Sequence, residues 1–460
     1  MELFTLVVGL CLPWLFGIAW LRAPWLKATD ITWPTLLGYG YLGGILLTTL
    51  VMRLLDALGI RLGFFSIGLA LLLLTLAGAW LGRRKPWRIR QPGADWHSLA
   101  GWRKIVYAVL LAAIVIRLAG LGLEIVWRPL FPWDAWSQWA TKARVWYELG
   151  HLATFVPADV WLGGGESAGT YTDAAPHYPP AIPLIQVWMS YSLGRWDDTL
   201  MNLPWLLCAV ALGLAFYGQA RKWQISPLFA LMFTYFLLSL PLLDVHVALA
   251  GYADLFMGAF YGLAAMAFFH WTRKRDFWQG AMALLFGLGC ILIKQPGFAW
   301  ALTFLPALLI VFMPRAGLMG SSVLAAAGVA TLFILGEKDF HLFGYHIHLR
   351  FAADWQPFWQ NMMVMDNWHL LWYLVAVALV LSFPRLLAPS FRSMTVLLLT
   401  AVAFLAVVFF FTHVQAWTED YTTINRALLH MVPMLLFYVM VLFQEAVNFP
   451  MIMTTRQKLT

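Results

Sequence analysis

The chain has 460 residues, of which 62% are hydrophobic and only 11% are charged. Because soluble domains carry about 25% charged residues, this composition excludes a soluble globular enzyme and indicates an integral membrane protein. The net charge of +8 then reflects how Lys and Arg are divided between the two sides of a membrane, so we expect no nucleic-acid partner.

Apolar runs recur along the whole chain. A membrane-spanning helix needs roughly 20 mostly apolar residues, and about thirteen runs approach that length. The sequence therefore predicts an all-α polytopic membrane protein with about thirteen transmembrane helices and additional interfacial helices on its outer face. The runs begin near Leu3, Thr35, Leu62, Ile105, Leu200, Pro227, Leu255, Phe277, Phe298, Ser321, Leu370, Met394 and Ala427.

We divide the chain at residue 103. Residues 1–103 contain three apolar runs and a basic segment at 83–90, and residues 104–460 contain the other runs and two long polar segments, at about 126–180 and 338–367. Because Lys and Arg concentrate in cytoplasmic loops, we place the basic segment inside. Alternating the spans then puts the N-terminus outside, the C-terminus in the cytoplasm and both long polar segments outside.

The same alternation leaves short, basic loops inside and places the chemically versatile side chains on the outer face. We therefore expect any chemistry at the periplasmic side of a bacterial cytoplasmic (inner) membrane, where no nucleotide is available. The sequence also has no Gly-rich phosphate loop of the Walker or dinucleotide type.

The first outer segment contains two predicted short helices. Asp134 opens one of them and Gly150 ends it. Asp134 is interpreted either as a helix N-cap or as a general base held at the membrane edge, which would take a proton from an acceptor hydroxyl or amine. The second helix follows His177-Tyr178-Pro179-Pro180 and covers about thirteen residues, too few to span. We expect it to be interfacial or re-entrant, with His177 as an interfacial polar tip or a substrate-orienting group.

Three further charges lie at the outer ends of apolar runs. Asp254 opens a span, where a carboxylate is costly unless it is paired, functional or a helix cap. Lys294 precedes a Pro-Gly break and either binds a lipid phosphate or snorkels to the interface. Arg426 offers a fork suited to phosphate, with an ion pair to Glu419 or Asp420 as the structural alternative.

The second outer segment is rich in histidine. His346 and His348 alternate as a metal pair on a strand would. Interleaved aromatic residues favour an interfacial loop instead. We therefore predict no cofactor and keep a divalent metal at these two histidines as the less favoured alternative.

Taken in chain order, these motifs resemble the polyprenyl-phosphate-dependent glycosyltransferases of the GT-C superfamily, in particular the branch with the protein O-mannosyltransferases and the lipid A aminoarabinose transferase. The resemblance runs from about residue 127 to residue 433. It rests on the helix from Asp134 to Gly150, the His-x-Pro-Pro helix from His177 to Gly194, Tyr252 with Asp254, Lys294, and Arg426 with Pro433.

The resemblance implies an inverting membrane glycosyltransferase that moves a sugar from an undecaprenyl-like polyprenyl phosphate to a glycan, lipid or protein acceptor. It implies that Asp134 is the catalytic base and that Lys294 and Arg426 bind the donor phosphate. The residues expected to bind acceptor or sugar, or to support the site, are His177, Tyr178, Tyr252, Asp254, Lys142, Arg195 and His246.

Two other functions fit an outer-facing polytopic protein. An O-antigen-type ligase or polymerase would depend on His177 and on His346 and Arg350 of the second outer segment. A lipid or solute transporter would show internal repeats and broken helices near mid-membrane. We find no clear repeat, and the ionisable residues gather at one face. A purely structural membrane subunit is the third alternative.

Overall fold

The computed structural model describes residues 2–23, 25–26, 31–83, 89–90, 100–164, 169–342, 345–352 and 354–457. Among these residues nine helices are long and apolar enough to cross a membrane, and a bent pair of helices makes a tenth if it counts as one span. An all-α polytopic membrane protein is thereby confirmed. Most of the basic segment 83–90 and part of the Gly-rich stretch near residue 165 lie outside the described residues.

The helices are numbered in chain order. They are α1 Glu2–Leu21, α2 Trp33–Ala57, α3 Phe64–Gly82, α4 Gly101–Trp127, α5 Thr141–Leu149, α6 Ala158–Leu162, α7 Ala181–Leu193, α8 Leu203–Lys222, α9 Pro227–Leu238, α10 Pro241–Ala248, α11 Asp254–Lys274, α12 Phe277–Ile293, α13 Gly297–Leu302, α14 Phe304–Phe312, α15 Pro314–Leu335, α16 Gln356–Trp359, α17 Leu371–Ser382, α18 Arg392–Phe411 and α19 Thr422–Gln457.

Short irregular helices and three pairs of strands complete the fold. Two π-helical segments cover Ala135–Ala140 and Gln360–Val364, and 3₁₀ turns cover Leu200–Asn202, Phe383–Arg385 and His413–Thr418. Strands β1 Ile31–Thr32 and β2 Ile89–Arg90 pair in parallel, as do β3 Phe155–Val156 and β4 Tyr171–Thr172, whereas β5 Lys338–Leu342 and β6 Tyr345–Leu349 are antiparallel.

All the predicted apolar runs contain helix, but several are broken or short. Helices α9 and α10 meet at a bend of 60°, because Pro241 has no N–H to continue the helical ladder. Helices α12 and α17 have 17 and 12 residues, and the run from Phe298 is divided between α13 and α14. The predicted number of spans is therefore larger than the number of long helices.

Helix α11 is the centre of the bundle. Its residues are buried without interruption from Asp254 to His270, as expected for a helix that is apolar on every side. It packs against α8, α12 and α19. Gly258 and Gly262, one turn apart, let the backbone of α19 approach closely: a Cβ at Gly258 would lie 2.9 Å from the Leu429 carbonyl oxygen.

The first three helices share their core with the rest of the protein. Helix α2 packs on α1 and α8, and α1 contacts α3 and α7. The Tyr39 hydroxyl donates to the Leu263 carbonyl of the central helix at 2.8 Å. The division at residue 103 remains a prediction, but residues 1–103 do not pack as a separate body in the described structure.

Helix α7 has the predicted bounds and is buried. It runs from Ala181 to Leu193, and Gly194 ends it with a left-handed φ of 72°. All its residues except Tyr191 are buried, mainly against α1, α2 and α5. The helix is therefore enclosed by protein, and its interfacial or re-entrant position stays a prediction.

Candidate active site at one end of the bundle

Asp254 is the hub of a cluster of charged side chains. Its carboxylate is fully enclosed and accepts hydrogen bonds from the Lys294 ammonium (Oδ1, 2.6 Å) and the Arg426 Nε–H (Oδ2, 2.9 Å). His430 Nε2 lies 2.9 Å from Oδ1. A carboxylate buried among basic groups stays ionised, and it fixes the position of each of them.

The cluster joins helices that are far apart in sequence. Asp254 begins α11, Lys294 follows the last residue of α12, and Arg426 and His430 lie on consecutive turns of α19. Spacing of four residues places the last two on one face of their helix. The GxxxG face of α11, one turn beyond Asp254, brings that face of α19 close enough for direct contact.

Arg426 extends the cluster to the first outer segment. Its Nη2 lies 2.6 Å from Asp134 Oδ2, while its Nε is held by Asp254. The guanidinium carbon lies 4.5 Å from the ring centroid of Tyr252, at a distance suited to a cation–π contact. Arg426 and Asp134 are each 21% exposed, so this pair forms the accessible edge of an otherwise buried cluster.

Asp134 stands at the start of the π-helical turn Ala135–Ala140, and its side chain does not cap that turn. Its φ of −64° and ψ of −29° are helical, whereas an N-cap residue needs extended backbone to turn its side chain onto the first N–H groups. The capping interpretation is therefore wrong. The predicted single α-helix from Asp134 to Gly150 is corrected to a π turn followed by α5, and Gly150 ends α5 with φ 75°.

A glycine sets the distance between Asp134 and the hub. Gly251 adopts a left-handed φ of 106°, and a Cβ there would lie 2.7 Å from the Ala135 Cβ. Only glycine allows both this backbone conformation and this contact. Gly251 therefore lets the loop before Asp254 pack directly on the turn that carries Asp134.

The contacts of Asp254, Lys294 and Arg426 differ from the structural alternatives of helix capping, snorkelling and a local ion pair. Asp254 is a helical residue whose carboxylate binds basic side chains, so it is not an N-cap. Lys294 is buried and directed at Asp254 rather than snorkelling to an interface. Arg426 pairs with Asp134 and Asp254 and not with Glu419 or Asp420.

Two histidines near the cluster keep ring nitrogens free of hydrogen bonds. The buried Nδ1 of His430 has no partner in the described structure, and its ring packs edge-on against Trp300. His246 donates or accepts at Leu242 O through Nδ1 at 2.9 Å, while its buried Nε2 has no partner there. The His246 ring lies 5.8 Å from that of Tyr252.

Sequence reasoning placed His246 among the supporting residues but gave His430 no role. The signal that could have identified His430 is its position four residues after Arg426, on the same face of one helix.

The other predicted supporting residues lie outside the cluster. Lys142 is 2% exposed, and its ammonium lies 3.1 Å from Asp173 Oδ2 and donates to Ala175 O at 2.6 Å. This buried pair holds the chain just before His177, and Tyr178 stacks on Trp139 of the π turn with centroids 5.3 Å apart. These contacts brace the first outer segment and make no direct contact with Asp254.

Burial shifts both members of the Lys142–Asp173 pair towards their neutral forms. It raises the pKa of Asp173, and Lys142 opposes that shift only in part. It likewise lowers the pKa of Lys142 against the attraction of Asp173. The pair therefore fixes geometry at some cost in stability.

Arg195 and the second outer segment also lie apart from the cluster. Arg195 is about half exposed and pairs with Glu2 at 2.9 Å and Asp197 at 2.7 Å. His348 Nδ1 lies 2.9 Å from Asp339 Oδ1, and the side chain of His346 is outside the described residues. Within the described part of the chain, no three His, Cys, Asp or Glu side chains are grouped to hold a metal ion.

The arrangement has a clear chemical character. Two carboxylates, Asp134 and Asp254, balance two cations, Lys294 and Arg426, and only the Asp134–Arg426 edge is accessible. Such a site can present a guanidinium to an anion and a carboxylate to a hydroxyl or amine in the same place. No family model, no curated protein and no solved structure matches the chain.

Proposed function

We propose that the protein is a membrane glycosyltransferase of the GT-C type that transfers a sugar from a polyprenyl-phosphate donor to an acceptor at the outer face of a bacterial inner membrane. The proposal includes the larger topology of about thirteen spans, in which the shorter apolar helices α12, α13–α14 and α17 also cross or enter the membrane. It needs no cofactor.

The observation that carries the proposal is the Asp134–Arg426–Asp254 arrangement. It presents an accessible carboxylate 2.6 Å from a guanidinium at the end of apolar helices, where a lipid-linked donor would place its phosphate. The predicted base and both predicted phosphate-binding residues, Lys294 and Arg426, belong to one cluster, although 160 and 292 positions separate them from residue 134 in sequence. This convergence is the pattern expected of a catalytic site.

The chemistry follows from the charges. Asp134 takes the proton of the acceptor hydroxyl or amine, and the acceptor atom forms a bond to the anomeric carbon of the sugar. The bond from that carbon to the phosphate oxygen breaks, and the polyprenyl phosphate leaves with the electron pair. Arg426 stabilises the charge that grows on the phosphate, with Lys294 contributing through its field. A single displacement inverts the configuration at the anomeric carbon.

The test is transfer from a panel of radiolabelled polyprenyl-phosphate sugars, with identification of the labelled product. Asp134→Asn is expected to reduce transfer by at least about a hundredfold while the protein remains folded. Arg350→Ala serves as the matched variant, because the ligase or polymerase alternative depends on the second outer segment. Full activity of Asp134→Asn, or a larger loss in Arg350→Ala, would reject the proposal.

A further inference from the structure

Arg426 holds the proposed base in an ion pair. We propose that Asp134 occupies the position on Arg426 that a phosphate takes when the donor binds, so that an anionic ligand displaces Asp134 and frees it to act as a base. This inference rests on the proposed function and adds the order in which the site becomes active.

The first support is the asymmetric fixation of the guanidinium. The Nε edge of Arg426 is bound to Asp254, whose side chain is completely enclosed. The Nη2 group contacts Asp134, whose carboxylate is 21% exposed. Two partners therefore hold the same guanidinium, one immobile and one at the surface, and only the second can be exchanged without opening the bundle.

The second support is the charge balance around Asp254. Lys294 and Arg426 carry two positive charges against the single negative charge of the Asp254 carboxylate. His430 also contacts Asp254 and adds no negative charge. The cluster of Asp254, Lys294, Arg426 and His430 therefore needs one more negative charge. Asp134 supplies it in this structure, and a phosphate monoester or diester would supply it equally well.

The third support is that few described contacts hold the Asp134 carboxylate in place. Its only described side-chain partner is Arg426, and its side chain makes no capping bond to the π turn that follows. An ion pair at a partly exposed position contributes little, about 0–1 kcal/mol. A bidentate phosphate–guanidinium contact can therefore compete with it.

The exchange has a consequence for catalysis. While the ion pair is intact, the Arg426 guanidinium occupies the Asp134 carboxylate. Once a phosphate takes the guanidinium, that carboxylate is free to accept a hydrogen bond from the acceptor hydroxyl or amine. The base is thus activated at the moment when the leaving group is in place, and the acceptor is not deprotonated unproductively before the donor arrives.

The experiment measures equilibrium binding of phosphate ligands to the purified full-length protein, independently of transfer. The probes are farnesyl phosphate, inorganic phosphate and uncharged farnesol. Removing the competing carboxylate by Asp134→Asn is expected to tighten binding of farnesyl phosphate by up to about fivefold. If the site recognises the phosphate alone, Asp134→Asn raises the affinity for inorganic phosphate by the same factor. If the lipid chain is also needed, the increase for inorganic phosphate is smaller. Farnesol binding is unchanged.

Matched variants separate exchange from a general charge effect. Asp244→Asn removes a carboxylate that pairs with Arg117 and is expected to leave phosphate binding unchanged. Arg426→Met is expected to abolish the gain in the Asp134→Asn background. Asp134→Ala provides a second test if the amide variant unfolds early.

The outcomes distinguish the two proposals. Equal phosphate affinity in the wild type and in Asp134→Asn, or an equal gain in Asp244→Asn, overturns the exchange and leaves the proposed transferase standing if transfer is observed. A wild-type protein and an Asp134→Asn variant that both fail to bind any phosphate overturn the exchange and the proposed donor site together.

Discussion

At the scale of single residues, Asp254 is the side chain whose loss should matter most for stability. Asp254→Asn removes the buried negative charge that contacts Lys294 and Arg426. Leaving buried cations without their partner costs about 3–5 kcal/mol. We expect that loss in unfolding free energy, measured by denaturant titration in detergent micelles.

The control for Asp254 is a carboxylate that pairs with an arginine at an exposed position. Glu148 pairs with Arg144 at 2.7 Å on α5, and both side chains are about half exposed, so water can replace the lost partner. Glu148→Gln is expected to cost no more than about 1 kcal/mol. Similar losses in the two variants would show that Asp254 is not a charge hub.

The Lys142–Asp173 pair predicts a dependence of stability on pH. Burial raises the pKa of Asp173 above 3.8, so the folded protein binds that proton more readily than the unfolded chain. The stabilisation from protonated Asp173 is complete below the pKa that Asp173 has in the unfolded chain. It is lost as pH rises through the raised pKa of the folded protein.

The measurement compares unfolding temperatures of the wild type and Asp173→Asn between about pH 4 and pH 7. The stability of the wild type relative to the variant is expected to fall as pH rises. Burial also lowers the pKa of Lys142. The stabilisation from Lys142 is therefore complete above 10.5 and is lost as pH falls through the lowered, folded value. Parallel profiles, or a relative gain at higher pH, would contradict the prediction.

At the scale of secondary-structure elements, the contact between α11 and α19 positions the cluster. Gly258→Ala places a Cβ 2.9 Å from the Leu429 carbonyl oxygen, which belongs to a helix backbone and cannot rotate away. The helices must separate by a few tenths of an ångström. We expect a loss of about 1–3 kcal/mol in stability and at least about tenfold in transfer, because Arg426 and His430 move relative to Asp254.

Gly287 offers the matched control for Gly258. It lies within helix α12, and a Cβ there would meet no atom within 4 Å. Gly287→Ala is expected to stabilise the protein by about 0.5–1 kcal/mol through the unfolded chain, with unchanged transfer. The comparison uses the same assay and unfolding measurement for both variants. Equal activity in the two variants would show that the α11–α19 distance does not set the site.

The elements also show what a single sequence can and cannot predict. Apolar length predicted the helices, and Gly150 and Gly194 were correctly predicted to end α5 and α7. The bend before Pro241 and the short length of α12 were not predicted, because a hydropathy run does not show where a helix breaks within it. The burial of α7 depends on helices that pack around it, and periodicity cannot show those neighbours.

The candidate site also depends on spatial neighbours that the sequence does not show. The sequence indicated Asp134, Asp254, Lys294 and Arg426 separately, each with a structural alternative, because a lone charge at the end of a span fits capping, snorkelling or catalysis equally well. Only the three-dimensional contacts show that the four share one cluster. Lys142 was grouped with them because it lies on the same outer segment, whereas its partner Asp173 comes from a loop whose path the sequence does not define.

At the scale of the whole molecule, the proposed function requires the cluster to face the periplasm. The native cysteines allow a direct test, since Cys208 and Cys290 are buried and only Cys11 is exposed. In a Cys11→Ala background, Ala158→Cys places a thiol on α6 of the first outer segment, and Lys274→Cys places one at the far end of α11. Both positions are exposed in the structure.

A membrane-impermeant maleimide applied to intact spheroplasts should label Ala158→Cys and should label Lys274→Cys only after the membrane is permeabilised. The reason is that Arg273, Lys274 and Arg275 form a basic turn, which the positive-inside rule places in the cytoplasm. Asp254 lies at the opposite end of the same helix and is then periplasmic. Reversed labelling would place the Asp134–Arg426 edge in the cytoplasm, where nucleotide donors are available, and would remove the chemical reason for a lipid-linked donor.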